Sequence, residues 1–446
     1  MKKDILILLL IATQTTCLAT TVKELLGGAE GYAKNEEFQK AIMCYEKVIS
    51  QYPDMLNVWF KLGHCYLQIG KFDNALFAFD QIIKKSNSIC ARYNRAFTLK
   101  NAKRIDQAIS EMKDILLEDP EYNPAHLSLG FSLLQNGEFT QGWKQHERYL
   151  KSAGKFAPEL RTLIKNNDLN NKTIILVPEG GLGDTVQFIR YAKRLNEMGA
   201  YIVARVQKEL IPLLSNCSYI YEINATGTKI PPHDAYATLM SLPAVFYDTQ
   251  DTILQDMPYI FPDAKRIAYW KEKLGSDTNL KIGICWQPSI SNDASRMVIA
   301  RRGIPLELFA PLFTIPNITW YSLQQRDGIE QIKEFSQKNV LTLFDDTFDV
   351  ANGPFMDSAA VIDQLDLIIS ADTSTAHLAG ALGKPVWLLL PFVSDWRWIV
   401  NRTDTPWYPT MTIFHQDEPF NWQGVLAHVY KKLERRIKKI PEKSGT

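Results

Sequence analysis

From residue 22 to about 152 the apolar positions recur at three- and four-residue intervals, and the pattern renews itself about every 34 residues. The sharpest unit runs W-F-K-L-G-H-C-Y (Trp59 to Tyr66) and then A-L-F-A-F (Ala75 to Phe79). One period earlier stand Ala41 and Tyr45, closed by Pro53; one period later stand Ala108 and Pro120. A fourth unit starts at His126, Leu129 and Gly130 and ends in G-W-K-Q-H-E-R-Y (Gly142 to Tyr149). Small residues at Gly63, Ala75 and Ala108 let two helices approach closely, while Trp59, Tyr66 and Phe79 fill the space between successive pairs. The spacing predicts a short α-solenoid of helix pairs over 22–152. Such a solenoid either binds a protein partner or packs on the next domain.

After Lys165 the period changes. N-N-D-L-N-N-K-T is polar and turn-rich, and T-I-I-L-V (Thr173 to Val177) then reads as a buried strand. A helix is expected from Asp184 to Met198, ended by Gly199, with further strands at Tyr201 to Val206, Tyr219 to Ile223 and Ala235 to Met240. A second polar break at 271–280 precedes strands at Lys281 to Trp286, Asn317 to Leu323, Leu365 to Ser370 and within K-P-V-W-L-L-L-P (Lys384 to Pro391). Between these lie an amphipathic stretch at Pro305 to Phe313 and a short helix ended by Gly383; Trp422 to Ile437 closes the pattern as a long amphipathic helix. Strand and helix in alternation mean parallel sheets covered on both faces. The expectation is two α/β halves, roughly 170–270 and 280–440, with ligands beyond the carboxyl ends of their strands.

Composition adds constraints. The 446 residues are 46% hydrophobic and 22% charged, ordinary for a chain of more than one domain. A net charge of +1 gives no reason to expect a nucleic-acid partner, and the basic run Lys431 to Lys439 reads as a solvated helix face. Residues 1–20, with two lysines and an apolar run from Ile5 to Ala12, resemble a secretory signal peptide or a short anchor, although Asp4 sits in the positive region. The six cysteines (17, 44, 65, 90, 217 and 285) form no C-x-x-C pair and suit a reducing, cytoplasmic compartment. The two signals point to different locations.

Four stretches hold candidate chemistry. The first is E-G-G-L-G-D-T after the strand Thr173 to Val177. Its glycines fit neither the P-loop nor the full dinucleotide pattern. Asp184 reads as a helix N-cap or as a general base, with Glu179 and Gly183 beside it. The second is Asp372, Thr373, Ser374, Thr375 and His377, where free N–H groups, three hydroxyls and a helix dipole converge on an anion. Its plain reading is a cap followed by a packed histidine. The third is the loop after Trp286, with Asn292, Asp293, Arg296, Arg301 and Arg302, suited to a phosphate or simply solvated. The fourth is P-F-V-S-D-W-R-W with R-T-D-T-P-W-Y-P: Arg397 suits a phosphate, and Trp396, Trp398 and Trp407 form either a stacking surface for a base or sugar or part of the core. The D-D pair in F-D-D-T-F-D lacks the strand context a metal–diphosphate site needs, and the seven histidines show no metal spacing.

Together, E-G-G-L-G-D-T-V-Q-F-I-R-Y, A-T-L-M-S-L-P, I-S-N-D-A-S with R-R-G-I-P-L-E-L, and D-L-I-I-S-A-D-T-S-T-A-H-L-A-G-A-L-G-K-P-V-W-L-L-L-P resemble a known family. It is the bacterial tetratricopeptide-repeat proteins whose C-terminal glycosyltransferase domain is similar to lipopolysaccharide heptosyltransferases (glycosyltransferase family nine). The resemblance implies a tetratricopeptide α-solenoid followed by a GT-B-like pair of Rossmann-like α/β halves, the first on the acceptor side and the second on the nucleotide-sugar side. It also implies inverting transfer of a sugar from a nucleotide sugar to a saccharide or protein acceptor, with no metal or other cofactor. Asp184 matches the family's base. Asp372, Thr373, Ser374, Thr375 and His377 match its diphosphate-binding segment, and Arg302, with Arg301 beside it, matches its leaving-group cation. Asn292, Asp293, Glu179, Gly183 and Arg397 are supporting candidates. The solenoid would serve a protein partner or the acceptor. Three departures stand out: the first half is short, arginine replaces the family's lysine, and a leader precedes an enzyme whose donor is cytosolic. The competing expectation is a non-catalytic scaffold that keeps a sugar-nucleotide-binding fold.

Overall fold

A computed structural model describes residues 22–154, 157–275, 278–289 and 301–438. The chain forms two compact units that divide between Ser132 and Leu133, inside the helix Asn123–Gln135. Among the described residues no helix is long and apolar enough to cross a membrane.

The first unit is all helical. Helices at 22–34, Phe38–Gln51, Leu56–Gln68, Phe72–Ser86, Ile89–Asn101 and Ile105–Glu118 succeed one another, and from Phe38 on each packs on the next. The small residues do what the sequence pattern asks of them: Ala41, Ala75 and Ala108 are fully buried. A Cβ on Gly63 would come within 2.8 Å of the Phe79 ring, so only glycine lets the two helices meet at that point.

The second unit holds two parallel sheets. Strands β1 (Thr173–Val177), β2 (Tyr201–Val206), β3 (Glu222–Ala225) and β4 (Ala235–Thr238) lie in the order β3-β2-β1-β4. Strands β5 (Leu280–Cys285), β6 (Ile318–Ser322), β7 (Leu341–Thr342), β8 (Leu367–Ala371), β9 (Val386–Leu390) and β10 (Met411–His415) lie in the order β10-β9-β8-β5-β6-β7. Every pairing is parallel, as expected of buried, near-continuous apolar strands. These are the two Rossmann-like halves expected of a GT-B-like chain.

Each sheet reverses its strand order once, and that fixes where a ligand can sit. In the first sheet the chain runs outward from β1 through β2 to β3, then returns to place β4 on the other side of β1. In the second sheet the reversal lies between β5 and β8, paired through Cys285 and Ser370. Crevices open beyond the carboxyl ends of strands at such reversals.

Several elements depart from the sequence expectation. The helix expected from Asp184 to Met198 starts earlier and breaks at Ile189 into Leu182–Phe188 and Arg190–Glu197. The amphipathic stretch after Pro305 is a 3-10 helix, Leu306–Thr314, because Pro311 removes a backbone donor from its interior. Strands β7 and β10 were not foreseen. The helix Phe139–Ser152 belongs to the second unit, where the Trp143 indole N–H donates to the Asp248 carbonyl at 2.8 Å.

Candidate functional site

The loop leaving β1 carries the glycine turn. Gly180 has φ +74°, the left-handed region where glycine is at ease, and a side chain there would collide with Asp184 Oδ2. Gln207, just past β2, supports the turn: it accepts from the Thr185 hydroxyl at 2.8 Å, and its amide reaches the Gly180 and Gly181 carbonyls at 3.4 and 3.5 Å. Glu179 is half-buried on the same loop.

Asp184 is the third residue of its helix, not the N-cap. The cap position is Gly181, whose backbone N–H donates to Asp184 Oδ2 at 2.7 Å. Glycine has no side chain to return the bond, so only half of a capping box exists. The other carboxylate oxygen, Oδ1, accepts from Arg397 Nη2 at 2.6 Å. The Asp184 side chain thus takes part in the helix start without being its N-cap.

Arg397 reaches Asp184 from the second half of the unit. Its side chain is 8% exposed against 20% for Asp184. Its Nη1 lies 3.4 Å from Asp395 Oδ1. Burial opposes the guanidinium charge, but Asp395, Asp184 and Asp372 together outweigh it and raise the pKa, so Arg397 is charged at every working pH.

The second motif follows β8. Asp372 is buried, with Oδ2 3.4 Å from Arg302 Nη2, and its backbone carbonyl accepts from the same nitrogen. Thr373 is the N-cap of the helix Ser374–Ala381, but its hydroxyl does not cap. It turns into the core, 3.1 Å from Ser370 Oγ and 3.6 Å from Cys285 Sγ. The three hydroxyls therefore do not converge on one outward point: Thr375 also reaches the buried Cys285 thiol, and Ser374, half-buried, stands at the head of the helix.

His377 is packed rather than reaching for a ligand. It is buried, its Nδ1 lies 2.9 Å from the Tyr408 hydroxyl, and its ring stacks on Trp398 at 5.5 Å. Burial, reinforced by Arg397, Arg190 and Arg302, holds its pKa well below the ordinary value, so the imidazole is neutral. Its Nε2 lies 3.9 Å from Asp372 Oδ1. Trp396, Trp398 and Trp407 are 6%, 0% and 0% exposed, so they are core and offer no open ring face to a base or sugar.

The two motifs meet. A Cβ on Gly183 would stand 2.9 Å from His377 Cδ2 and 3.5 Å from Ser374 Cα, so the two helix starts touch. The two halves are in contact at this point, and the Asp184 side chain beside it is 20% exposed. Several buried polar atoms nearby have no hydrogen-bond partner: Asp372 Oδ1, Arg302 Nε, Arg397 Nε and both side-chain heteroatoms of the fully buried Gln187. Buried polar groups are rarely left so, and a polar ligand or ordered water at this point would satisfy them. Arg301 precedes Arg302, and burial lowers its pKa from the usual arginine value. Asn292, Asp293 and Arg296 lie outside the described residues. Among the described residues no group of three or more histidine, cysteine, aspartate or glutamate side chains is placed to hold a metal ion.

Sequence reasoning missed Tyr408, Gln187 and Arg190. Gln187 was within reach, because it stands four residues after Gly183 and shares its helix face. Tyr408 lies in a quoted stretch but carries no motif of its own.

Known proteins resemble parts of this chain. Residues 32–96 match the tetratricopeptide repeat family, in agreement with the helix pairs of the first unit. Protein FlbA of Caulobacter vibrioides is 24% identical over 427 residues, which span 88% of this chain and 70% of that protein. A crystal structure of MamA protein is 20% identical over 31% of this chain and 76% of its own, at a TM-score of 0.29. The crystal structure of a glycosyl transferase family 9 protein from Veillonella parvula is 12% identical over 62% of this chain and 91% of its own, at a TM-score of 0.39.

Proposed function

We propose that this protein is an inverting, metal-independent glycosyltransferase that moves a sugar from a nucleotide-sugar donor to a hydroxyl of a saccharide or protein acceptor. The observation that carries the reading is the meeting of two strand-end motifs: the carboxylate of Asp184 from the first half, and from the second the start of the helix Ser374–Ala381 with its arginines. A single in-line displacement needs those parts. Asp184 accepts the proton of the acceptor hydroxyl, and the oxygen forms its bond to the anomeric carbon. The bond from that carbon to the diphosphate oxygen breaks, and the diphosphate leaves with the electron pair. Arg302, Arg397 and the free N–H groups of the helix start receive its charge. One base suffices, in contrast to the carboxylate pair of a retaining hydrolase. The tetratricopeptide solenoid serves the acceptor or a protein partner.

The test begins with a thermal-shift screen of the full chain over nucleoside diphosphates and nucleotide sugars. Transfer is then followed as release of nucleoside diphosphate from the sugar nucleotide that binds. Asp184→Asn is expected to lower turnover by about 10²–10⁴-fold, the usual worth of a positioned base, while nucleotide binding survives. Turnover retained in Asp184→Asn removes the base assignment. A wild-type chain that binds no nucleotide leaves the non-catalytic scaffold standing instead.

A further inference from the structure

We propose that Arg397 exchanges partners when donor binds: it holds Asp184 in the empty site and passes to the donor diphosphate in the loaded one, releasing Asp184 to the acceptor. This rests on the transferase reading and adds an order to it, with donor first and base second.

The geometry around one side chain carries the inference. Arg397 has an ion pair to Asp184 at 2.6 Å, a looser one to Asp395 at 3.4 Å, and an Nε with no partner. Asp395 belongs to Arg397's own segment and Asp372 to the neighbouring strand end, so both travel with it. Asp184 alone comes from the first half. It is also the carboxylate with somewhere else to bond, since Oδ2 is held by the Gly181 N–H while Oδ1 accepts from Arg397. A carboxylate whose free oxygen is occupied by a buried guanidinium is a poor proton acceptor for a substrate. A diphosphate at the head of the helix Ser374–Ala381 presents several oxygens to the planar fork of an arginine and is the stronger partner. When the arginine turns to it, Asp184 Oδ1 becomes available. The exchange involves no covalent step; one ion pair breaks and another forms.

Because Asp184 and diphosphate compete for one cation, removing the carboxylate must strengthen anion binding through that cation. Calorimetric titration of the full chain with inorganic pyrophosphate, and with the nucleoside diphosphate found by screening, tests this at fixed ionic strength. Asp184→Asn is expected to bind about five- to tenfold more tightly than wild type, in the range of ordinary coupling between two sites. Arg397→Gln is expected to bind at least about tenfold more weakly, as loss of a charge-assisted pair implies. The deciding measurement is the double variant. Exchange requires that Asp184→Asn give no gain once Arg397 is glutamine, whereas a simple loss of nearby negative charge would give the same gain in both backgrounds. Equal gains, or no gain in Asp184→Asn alone, overturn the exchange and leave the transferase reading intact. No diphosphate binding by wild type or Asp184→Asn overturns both. Should the asparagine variant fail to fold, Asp184→Ser, which keeps a small acceptor for the Gly181 N–H, carries the same expectation.

Discussion

Gly183 lies where two helix starts touch, and the cost of a side chain there can be stated. The nearest atom is His377 Cδ2, and that ring cannot move aside, because Tyr408 holds its Nδ1 and Trp398 lies against its face. Gly183→Ala is expected to destabilise the chain by about 1–3 kcal/mol, as overpacking does, seen as a lower urea midpoint with an unchanged denaturant slope. In the sequence this glycine stood out only as part of a glycine-rich stretch beside Asp184; what it approaches left no local sign. The same holds for Asp184: its position at a strand end and helix start could be read, but its pairing with Arg397 spans 213 residues and leaves no local trace. Side chains that find each other through the fold are invisible to spacing. Thr373 shows the reverse. Its motif suggested a hydroxyl aimed at an anion, and the core beneath it offered Ser370 and Cys285 instead.

At the level of elements, long periodic segments were the readable ones. The closing helix Trp422–Ile437 and strands β1 and β2 stand where the pattern put them, because apolar period and length agree there. Strand β7 is two residues long and β10 follows a loop of turns, so neither leaves enough pattern to be seen. In the repeats, packing and charge contribute unequally. Lys61–Glu30, Lys85–Asp54 and Arg104–Asp73 repeat an ion pair at a spacing of 31 residues, all between exposed side chains. Exposed pairs contribute little, whereas Phe79 is fully buried against Gly63. In urea unfolding, Lys85→Ala is expected to change stability by under about 1 kcal/mol, and Phe79→Ala to cost about 3–5 kcal/mol. Comparable losses would mean that the charge ladder, and not the helix contact, holds the repeats.

Over the whole molecule, three of the buried or partly buried histidines shape the response to acid. Burial pushes His146 down to about 4 and lowers His64; it also holds His377 well below the ordinary value of 6.5. The unfolded chain takes up these protons near the ordinary value, while the folded chain resists them. Their contribution is therefore complete above about pH 6.5 and is lost as the pH falls toward the depressed values. His146 alone accounts for on the order of 3 kcal/mol of this change. Asp248 and Asp349, raised by burial, act in the opposite sense, but only as the pH falls toward their own range above 3.8. Urea midpoints are expected to fall between pH 7 and pH 5, and to fall less in His146→Gln. A flat profile would show that these imidazoles accept protons in the folded state. That helical repeats give way to parallel α/β halves was legible, but the change of period at Lys165 lies well beyond the division between the two units at Ser132 and Leu133. The contact between the halves was not legible, because it depends on which helix faces meet.

Arg190 lends that contact a further meaning. Its buried guanidinium donates to the carbonyls of Gln187 and Leu254 and to the Tyr259 hydroxyl in the first half, and to the Trp407 carbonyl in the second, and so ties both halves to one cation. A charge with that many fixed acceptors cannot follow one half if the other swings away. The halves are held to one another at this corner by a single buried cation. For anyone building chimeras, the two halves are not interchangeable parts: a transplanted partner would have to bring its own carbonyls to Arg190, or leave a cation sealed in the interior with nothing to hold.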